Sequence, residues 1–581
     1  MRFVRVPFMR RNIVRLSIVS LWIASFVFLT VPRSSAQTLK PVRAKHAMVA
    51  SQHPLASAIG CDIMRKGGNA VDAAIAVGLA LAVVYPEAGN IGGGGFMVIR
   101  DAKGGNHAID YRETAPKAAT KNLYLDNTGE LIKGEGSSTL GYRAAGVPGT
   151  LAGFDLAFRK YGSHKVTWAQ LVAPARMLAT KGFKLTYRQT ERFKEFQSGL
   201  KQYADTNRIF LRNGKPFEED ETLVQSELAK TLSRIERFGA SEFYTGTTAS
   251  MIALDMKAHN GLITLDDLKN YKAKERTPLT GTYRGYEIVT MPPPSAGGVV
   301  MLEVLNILEG FDLRGMNPNS AAKYHLLVEA MRRGFADRSE YFGDTDFTKV
   351  PVSRLIDKSY AASRRADIDP KRASTSQNVG PGPMPEGTDT THFTIIDPSG
   401  IVVSNTYTLN DIYGSKVVAK GTGVLLNDEM DDFAARTDKP NLYGLIQGER
   451  NKIEPGKRPL SSMTPVIVLK KDGSVWFAAG GRGGSRITST VIQTIINIID
   501  YDMDIQAAID APRVHHQWLP DEIMYEPVGL SADTIDILKS YGHRFMDKPA
   551  VLSSATGIMV EASGVRLGAI DIRSDGVSVG Y

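Results

Sequence analysis

The stretch TTHFTIIDPSGIVVSNTYT, which spans residues 390–408, is the most informative part of the sequence for the fold. Two runs rich in β-branched and aromatic residues, 393–396 and 401–408, flank the tetrapeptide Asp-Pro-Ser-Gly at 397–400. A turn of this composition between two such runs is typical of a β-hairpin. We therefore predict that a hairpin opens the C-terminal third of the chain.

Helical patterns predominate upstream of this hairpin. Segments 57–66 and 70–84 have helical patterning, four glycines at 92–95 interrupt it, and residues 96–99 are strand-like. The regions 150–271 and 320–341 are mostly amphipathic and helical. Helical segments followed by a strand-rich portion predict a layered α+β fold.

The composition of the 581 residues, with 43% hydrophobic and 23% charged residues, is that of an ordinary globular protein. It excludes disordered, collagen-like and coiled-coil classes, and the length predicts two domains or one large layered unit. The net charge of +9 does not indicate a nucleic-acid partner, because six arginines and no acidic residue lie within residues 1–36. Most of the excess charge therefore belongs to the N-terminal segment.

That N-terminal segment has the pattern of a secretory signal peptide. Arginines are followed by an apolar run over 16–31 and by the small-residue site Ser34-Ser35-Ala36. An uncleaved anchor is the alternative, but the run is shorter than the ~20 residues that a bilayer span needs. We predict export to the periplasm or secretion, without a stable membrane anchor after cleavage at residue 36. The single cysteine, Cys61, excludes an intrachain disulfide.

Residues 371–389 (KRASTSQNVGPGPMPEGTD) lack any apolar run and consist largely of Pro, Gly, Ser and Thr. Such a segment predicts an exposed, mobile linker. It leads directly into Thr390. A cut between Asp389 and Thr390 would give Thr390 a free α-amine with a pKa near ~7.7–8, which can take the proton of its own hydroxyl. The alternative is that this stretch is only a polar entry to a strand.

Ten short motifs decide between these alternatives. They are, in chain order, 89–97 (GNIGGGGFM), 111–116 (YRETAP), 146–150 (GVPGT), 291–298 (MPPPSAGG), 336–341 (ADRSEY), 390–392 (TTH), 431–433 (DDF), 458–463 (RPLSSM), 483–486 (GGSR) and 515–520 (HHQWLP). Together they resemble the γ-glutamyltranspeptidases, N-terminal-nucleophile enzymes that are made as one chain and cleave themselves. The resemblance extends from about residue 45 to Tyr581.

The resemblance implies a four-layer αββα sandwich built by two subunits from one precursor. The large subunit would comprise residues 37–389, with the linker 371–389 at its end, and the small catalytic subunit residues 390–581, and the two would form a heterodimer. Residues 434–448, with Tyr443, resemble a lid loop, which favours small peptide substrates over polymers.

The resemblance also implies roles for individual residues. Thr390 is the nucleophile, Thr408 supports it, and the backbone of Gly483 and Gly484 forms the oxyanion hole, a role that suits glycine because it permits close approach of the backbone. For the γ-glutamyl group, the implied contacts are Arg112, Ser461 and Ser462 to the α-carboxylate, and Asn410, Glu429 and Asp432 to the α-ammonium. A planar guanidinium suits a carboxylate because it can bind both oxygens.

Several other residues receive weaker interpretations. Thr391 is a secondary candidate beside the nucleophile, whereas His392, His515 and His516 are interpreted as structural. The Gly-rich 481–485 segment lacks the Lys-Ser/Thr ending of a phosphate loop, and no cluster has metal-ligand spacing, so neither metal nor cofactor is predicted. Arg482 departs from the family pattern and could alter the preference for an acceptor.

The sequence therefore predicts an exported γ-glutamyltransferase that cleaves glutathione and related γ-glutamyl compounds, passing the acyl group to water, amino acids or peptides. A cephalosporin-type acylase on the same fold is the first alternative, and an inert solute-binding or structural periplasmic protein is the second. Arg112, Asp432 and the Ser461-Ser462 pair favour a glutamyl substrate.

Overall fold

Two seven-stranded antiparallel sheets organise the chain. The structure, a computed structural model, describes residues 39–380, 390–437, 439, 441–442, 445 and 447–581. Strands and helices are numbered along the chain. In order of pairing, the first sheet contains β20 (Val577–Gly580), β2 (Met48–Ser51), β10 (Thr391–Ile396), β11 (Val402–Thr408), β3 (Gly94–Arg100), β4 (Asn106–Asp110) and β7 (Lys274–Arg276).

The second sheet contains, in the same manner, β1 (Val42–Ala44), β19 (Arg566–Ile570), β18 (Ser554–Val560), β15 (Val475–Arg482), β14 (Val466–Leu469), β9 (Tyr286–Thr290) and β8 (Leu279–Tyr283). Three short pairs complete the strands: β5 (Phe183–Lys184) with β6 (Thr222–Leu223), β12 (Val418–Ala419) with β13 (Val424–Leu425), and β16 (Val514–His515) with β17 (Met524–Tyr525).

The helices of the first half lie between residues 54 and 270. They are α1 (Pro54–Arg65), α2 (Ala70–Val84), α3 (Thr150–Tyr161), α4 (Trp168–Lys181), α5 (Tyr187–Glu195), α6 (Gln197–Leu200), α7 (Ala204–Phe210), α8 (Ser226–Phe238), α9 (Ser241–Thr245), α10 (Thr247–Ala258) and α11 (Leu265–Asn270). The later helices are α12 (Gly297–Leu308), α13 (Ala321–Tyr341), α14 (Val352–Leu355), α15 (Lys358–Arg365), α16 (Ser376–Val379), α17 (Arg486–Ile499), α18 (Ile505–Asp510) and α19 (Ala532–Ser540). The predicted helical character of 150–271 and 320–341 is confirmed.

The predicted hairpin is confirmed as β10 and β11, which pair in the register Thr391 with Tyr407 through Ile396 with Val402. The side chain of Asp397 holds its turn, because one carboxylate oxygen accepts the N–H groups of Ser399 (2.8 Å) and Ile401 (3.1 Å). The other oxygen accepts the N–H of Ala70 (3.0 Å), the first residue of α2. One aspartate thus joins the hairpin turn to a helix N-terminus.

Alternation along the hairpin separates two faces. Phe393, Ile395, Val403 and Tyr407 belong to a hydrophobic cluster with α1 and α2, and all fifteen residues of α2 are buried. Residues at the even positions face the second sheet, where the Ser404 hydroxyl donates to the carbonyl of Ala479 (3.2 Å). Because side chains alternate along a strand, Thr390 and Thr408 lie on this inter-sheet face, whereas Thr391 lies on the helical face.

The second sheet is covered by helices of its own. α12 packs against β8, α13 and α17, and α17 also packs against β15. Their apolar residues form a second large hydrophobic cluster with those of the sheet. Residues Lys40–Tyr581 form one compact unit. No helix among the described residues has the length and apolar character needed to cross a membrane.

The sheets differ from the predicted succession of helices and then strands. Four strands of the first sheet and three of the second precede the hairpin in the chain. Of these strands, β1, β2, β3 and β9 pair directly with β10, β11 or later strands, for example Ala50 with Thr394 and Val289 with Ile467. Such long-range pairing leaves no trace in local periodicity, which is why the sequence pattern suggested segregation.

The structure describes residues 371–380 of the predicted linker. Residues 376–379 form α16, and Ser376 is fully buried. Its N–H donates to Asp521 (2.8 Å), and its carbonyl accepts the indole N–H of Trp518 (2.8 Å). Residues 371, 372, 375, 377 and 378 are exposed, as the composition predicted, whereas the contacts of Ser376 with Asp521 and Trp518 hold α16 against the rest of the chain. Residues 381–389, including Asp389, lie outside the described residues, as does the predicted signal segment 1–36.

Candidate active site

A small pocket, with a cavity volume of about 20 Å³, lies at the inter-sheet face, beside the start of β10. Its lining comprises Arg112, Thr390, Thr408, Asn410, Glu429, Asp432, Leu445, Ser461, Ser462, Met463, Gly484, Ser485 and Ile487. These residues come from segments more than 370 positions apart in the sequence. The fold therefore brings hydroxyl, cationic and anionic side chains together around one small space.

The hairpin places two threonines at one end of this pocket. Thr390 precedes β10 and is 3% exposed, and Thr408 ends β11 on the same face. The Thr408 hydroxyl accepts the N–H of Asn410 (2.8 Å), and its carbonyl accepts the side-chain amide of Asn90 (2.7 Å). The backbone of Asn410 is left-handed, with φ of 80°, and its side chain donates to the Asp428 carbonyl (3.1 Å). Thr408 is thus held rigidly through both its side chain and its main chain.

Arg112 forms the cationic end of the pocket. It lies two residues beyond β4, is 1% exposed, and forms ion pairs with Glu429 and Asp432. Its remaining N–H groups donate to the carbonyls of Pro459 (3.2 Å) and Leu460 (3.2 Å). Burial disfavours its charge, but the surrounding carboxylates outweigh burial and raise the pKa of Arg112. The guanidinium is therefore permanently charged and fixed in orientation.

Three carboxylates surround this guanidinium. Glu429 and Asp432 lie on one 3₁₀ turn, and Glu113 lies 3.8 Å from Arg112. Burial raises the pKa of all three despite the opposing effect of Arg112, and for Glu113 the pKa rises to about 7. Among the described residues, neither carboxylate oxygen of Glu113 has a hydrogen-bond partner. An excess of buried carboxylates over cations favours the binding of a further positive group.

The two serines lie on an extended segment next to Arg112. The N–H of Ser461 donates to the Pro294 carbonyl (3.0 Å), and its carbonyl accepts the N–H of Ala296 (2.8 Å). This pairing joins the 458–463 motif to the 291–298 motif. The Ser462 hydroxyl is buried and makes no hydrogen bond to the part of the chain that the structure describes. It is therefore available to a ligand in the pocket.

Gly483 and Gly484 lie between β15 and α17, with φ values of 125° and 57°. The φ of Gly483 would strain any other residue, and a Cβ atom on Gly483 would lie only 3.0 Å from the Leu552 carbonyl oxygen, so glycine is favoured there. Gly484 lines the pocket, and Gly483 adjoins it. A glycine pair at a helix N-terminus presents backbone N–H groups to an anion.

The sequence profile of the gamma-glutamyltranspeptidase family matches residues 56–581. The chain is 50% identical over 515 residues to a glutathione hydrolase proenzyme of Pseudomonas sp. (strain A14), covering 88% of each chain. It is 46% identical over 545 residues to the glutathione hydrolase proenzyme of Escherichia coli (strain K12), covering 93% of each. The chain belongs to the γ-glutamyltranspeptidase family.

The fold comparison agrees with this assignment and also includes an acylase. The crystal structure of a cephalosporin acylase from Bacillus halodurans has a TM-score of 0.81 and 27% sequence identity, covering 95% of this chain and 99% of the acylase. The mixed architecture of helices and sheets is thus shared between γ-glutamyltranspeptidases and acylases of the N-terminal-nucleophile type. Fold alone does not separate the two activities.

In this member of the family the pocket brings together nearly all residues singled out from the sequence. They are Arg112, Thr390, Thr408, Asn410, Glu429, Asp432, Ser461, Ser462 and Gly484, with Gly483 adjoining. Asp389 and Tyr443 lie outside the described residues. Within the predicted lid, Leu445 lines the pocket and the Asn441 side chain donates to Asp432 (3.1 Å).

Other candidates occupy different places. Thr391 does not line the pocket. It is paired in register with Tyr407, so the two side chains lie on the same face, and the Tyr407 hydroxyl donates to the Gly78 carbonyl in α2 (2.9 Å), which identifies that face as the helical one. His392 hydrogen-bonds to Thr406 (2.7 Å) and Thr394 (3.1 Å), and burial lowers its pKa to about 3. It is therefore a neutral structural side chain.

His515 and His516 are also in structural positions. His515 bonds to Ser489 (2.7 Å), and His516 lies 3.3 Å from Asp521. Away from the pocket, His325, Glu329 and His543 form the single His and acidic group of metal-binding dimensions among the described residues. Glu329 is already paired with Arg332 and Arg333 there.

Sequence reasoning missed Glu113, which directly follows Arg112 in the motif at 111–116. Its position in the sequence gave no signal, because an acidic residue beside an arginine is normally a solvated pair. It also missed the apolar wall of Leu445, Met463 and Ile487, for which no local pattern exists.

Proposed function

We propose that this protein is a γ-glutamyltransferase and glutathione hydrolase that activates itself by cleavage between residues 389 and 390. The observation that carries the proposal is one pocket in which Thr390 and Thr408 lie beside the buried Arg112 and the two carboxylates that pair with it, Glu429 and Asp432. The substrate class that matches this pocket has a zwitterionic end and a neutral amide. A γ-glutamyl amide has both.

Recognition of the donor follows from the charges. The substrate's α-carboxylate would replace Glu429 and Asp432 as the ion-pair partner of Arg112 and would also accept hydrogen bonds from the hydroxyls of Ser461 and Ser462. Glu429 and Asp432, released from Arg112, would then accept the α-ammonium with Asn410. The substrate's two charges thus replace the existing internal ion pairs, so that no buried charge is left unpaired.

Catalysis would use the α-amine of Thr390 as its base. The amine takes the hydroxyl proton, Oγ1 attacks the γ-carbonyl carbon, and the carbonyl oxygen becomes an oxyanion that accepts N–H groups of Gly483 and Gly484. Collapse returns the proton to the leaving amine and leaves a γ-glutamyl ester on Thr390. Water or an acceptor amine attacks the ester by the same route and regenerates the hydroxyl.

The subunit arrangement belongs to the same proposal. Residues 37–389 would form the large subunit and residues 390–581 the small one, in a four-layer αββα sandwich. Helices packed on each sheet and the contact between the sheets support this layering. Residues 1–36 would direct export to the periplasm and be removed.

The cephalosporin-type acylase is the competing function on the same fold. The charged residues of the pocket argue against this function. Arg112 is a cation and Glu429 and Asp432 are anions, and together they match the α-carboxylate and the α-ammonium of an amino acid. An acyl group without an α-ammonium would leave these two carboxylates without a cation once Arg112 is engaged.

The test is the mature chain, residues 37–581, compared with its Thr390→Ala variant. We expect the wild type to give fragments of 353 and 192 residues by mass spectrometry and to release anilide from a γ-glutamyl anilide. The variant should remain one chain and inactive. A variant that is still cleaved before residue 390, or still active, would overturn the mechanism. A processed wild type that acts only on a cephalosporin side chain would establish the acylase.

A further inference from the structure

Arg482 is the residue that the family pattern left unexplained. It ends β15 and immediately precedes Gly483, yet it does not line the pocket. Its guanidinium donates to the Ser554 hydroxyl (2.8 Å), to Glu87 (3.0 Å) and to the Tyr85 hydroxyl. The idea that Arg482 selects the acceptor directly therefore finds no support in its position.

The bonds of Arg482 are deeply buried. Arg482 is 6% exposed, Glu87 3% and Tyr85 5%. Buried charge-assisted bonds to a planar guanidinium are rigid, because moving the group would strand a charge away from water. The Arg482 carbonyl is held as well, since it accepts the Ser553 hydroxyl. Both the side chain and the main chain of this residue are thus fixed directly before the glycine pair.

The loop of residues 85–93 contains both Tyr85 and Glu87, and it also contacts the other wall of the pocket. The Glu87 carbonyl accepts the N–H of Tyr413 (2.9 Å). Within the same loop, Asn90 donates to the Thr408 carbonyl (2.7 Å) and accepts the N–H of Gly93 (3.0 Å). One loop therefore binds Arg482 on the second sheet and Thr408 on the first.

We propose that Arg482 is a positioning residue that fixes the Gly483–Gly484 backbone relative to Thr390 and Thr408. The inference rests on the proposed function, because it needs acyl transfer at Thr390. An oxyanion hole stabilises the developing charge only if its donors are already in place, and a small displacement greatly weakens that stabilisation. Substrate binding before the reaction would involve Arg112 and Asp432, which lie on other segments. It therefore does not depend on the contacts of Arg482 with the 85–93 loop.

The test is the Arg482→Met variant of the mature, processed enzyme, with rates expressed per processed molecule. We expect kcat for a γ-glutamyl anilide to fall about 10- to 100-fold, with KM changed less than about threefold. Binding of a boronic acid analogue, which forms a tetrahedral adduct with a hydroxyl, should weaken in parallel with kcat. Arg482→Lys, which keeps a cation near Glu87, should recover part of the rate.

The control is Arg333→Met. Arg333 is equally buried and is paired with Glu329 (2.7 Å) on α13, away from the glycine pair. We expect this variant to lose thermal stability without a matching loss of kcat. Three outcomes would overturn the inference: an equal loss of kcat in both variants, an unchanged kcat in Arg482→Met, or a change in KM alone in Arg482→Met.

The wild type separates this inference from the proposed function. An active wild type whose activity disappears in Thr390→Ala establishes the reaction, and an unaffected Arg482→Met then overturns the inference alone. A processed wild type without turnover overturns both.

Discussion

Among single residues, Arg112 has the most demanding role in the proposed donor recognition. We expect Arg112→Gln to raise KM for a γ-glutamyl anilide about 30- to 1,000-fold, because truncating one partner of a buried charge pair costs about 2–4 kcal/mol. Steady-state kinetics on the processed enzyme measures this. The residual kcat should be less affected, since the reacting atoms lie at Thr390.

Arg100→Gln is the matched control for that substitution. Arg100 ends β3 at the opposite end of the strand from the pocket-side residue Gly94, and it bonds to Asn106 (2.9 Å) and to the carbonyl of Gly473 (2.9 Å). Its KM should stay within about twofold of wild type, as expected for a surface substitution. Similar KM values for Arg100→Gln and Arg112→Gln would contradict the assignment of Arg112.

At the scale of elements, the β10–β11 hairpin depends on Asp397. We expect Asp397→Ala to lower the free energy of unfolding by about 2–4 kcal/mol, because it leaves N–H groups of Ile401 and Ala70 without their acceptor. Urea denaturation measures this difference.

Asp472→Ala tests whether the effect is specific to the hairpin and its helix. Asp472 makes the same kind of turn contact between β14 and β15, accepting the N–H of Ser474 (2.9 Å), but it is exposed and binds no helix. Its substitution should change stability by no more than about 0.5 kcal/mol. Equal destabilisation by both variants would show that the junction with α2 contributes nothing.

At the scale of the whole molecule, the two proposed subunits share both sheets. Strands β2 and β3 flank β10 and β11, and β9 and β1 pair with β14 and β19. Residues 37–389 and 390–581 carry net charges of +8 and −5, which favours their association. Shared strands and a shared core are far stronger constraints than this difference in charge.

We therefore expect the processed enzyme to elute as one particle in size-exclusion chromatography at 1 M salt, where the Debye length is about 3 Å. The fragments should separate only in denaturant. Dissociation by salt alone would show that charge, and not the interleaved sheets, holds the fragments together.

The sequence alone determined the elements that local chemistry dictates. The hairpin followed from its β-branched runs and the Asp-Pro-Ser-Gly turn, and α2 was predicted with its observed bounds, 70–84, because helical patterning is a property of the local sequence. Thr390 as a nucleophile was suggested by the adjoining linker and became specific only through the ordered motifs. Each of those motifs was weak when taken singly.

Tertiary structure decided everything that depends on distant contacts. It interleaved early and late strands, connected Ser376 to Trp518 and Asp521, placed Thr391 away from the pocket, and surrounded Arg112 with Glu113 as well as Glu429 and Asp432. It also turned Arg482 toward Glu87. These outcomes depend on which buried charges and hydrogen-bonding groups find partners across hundreds of residues, and no local pattern in the chain records those partners.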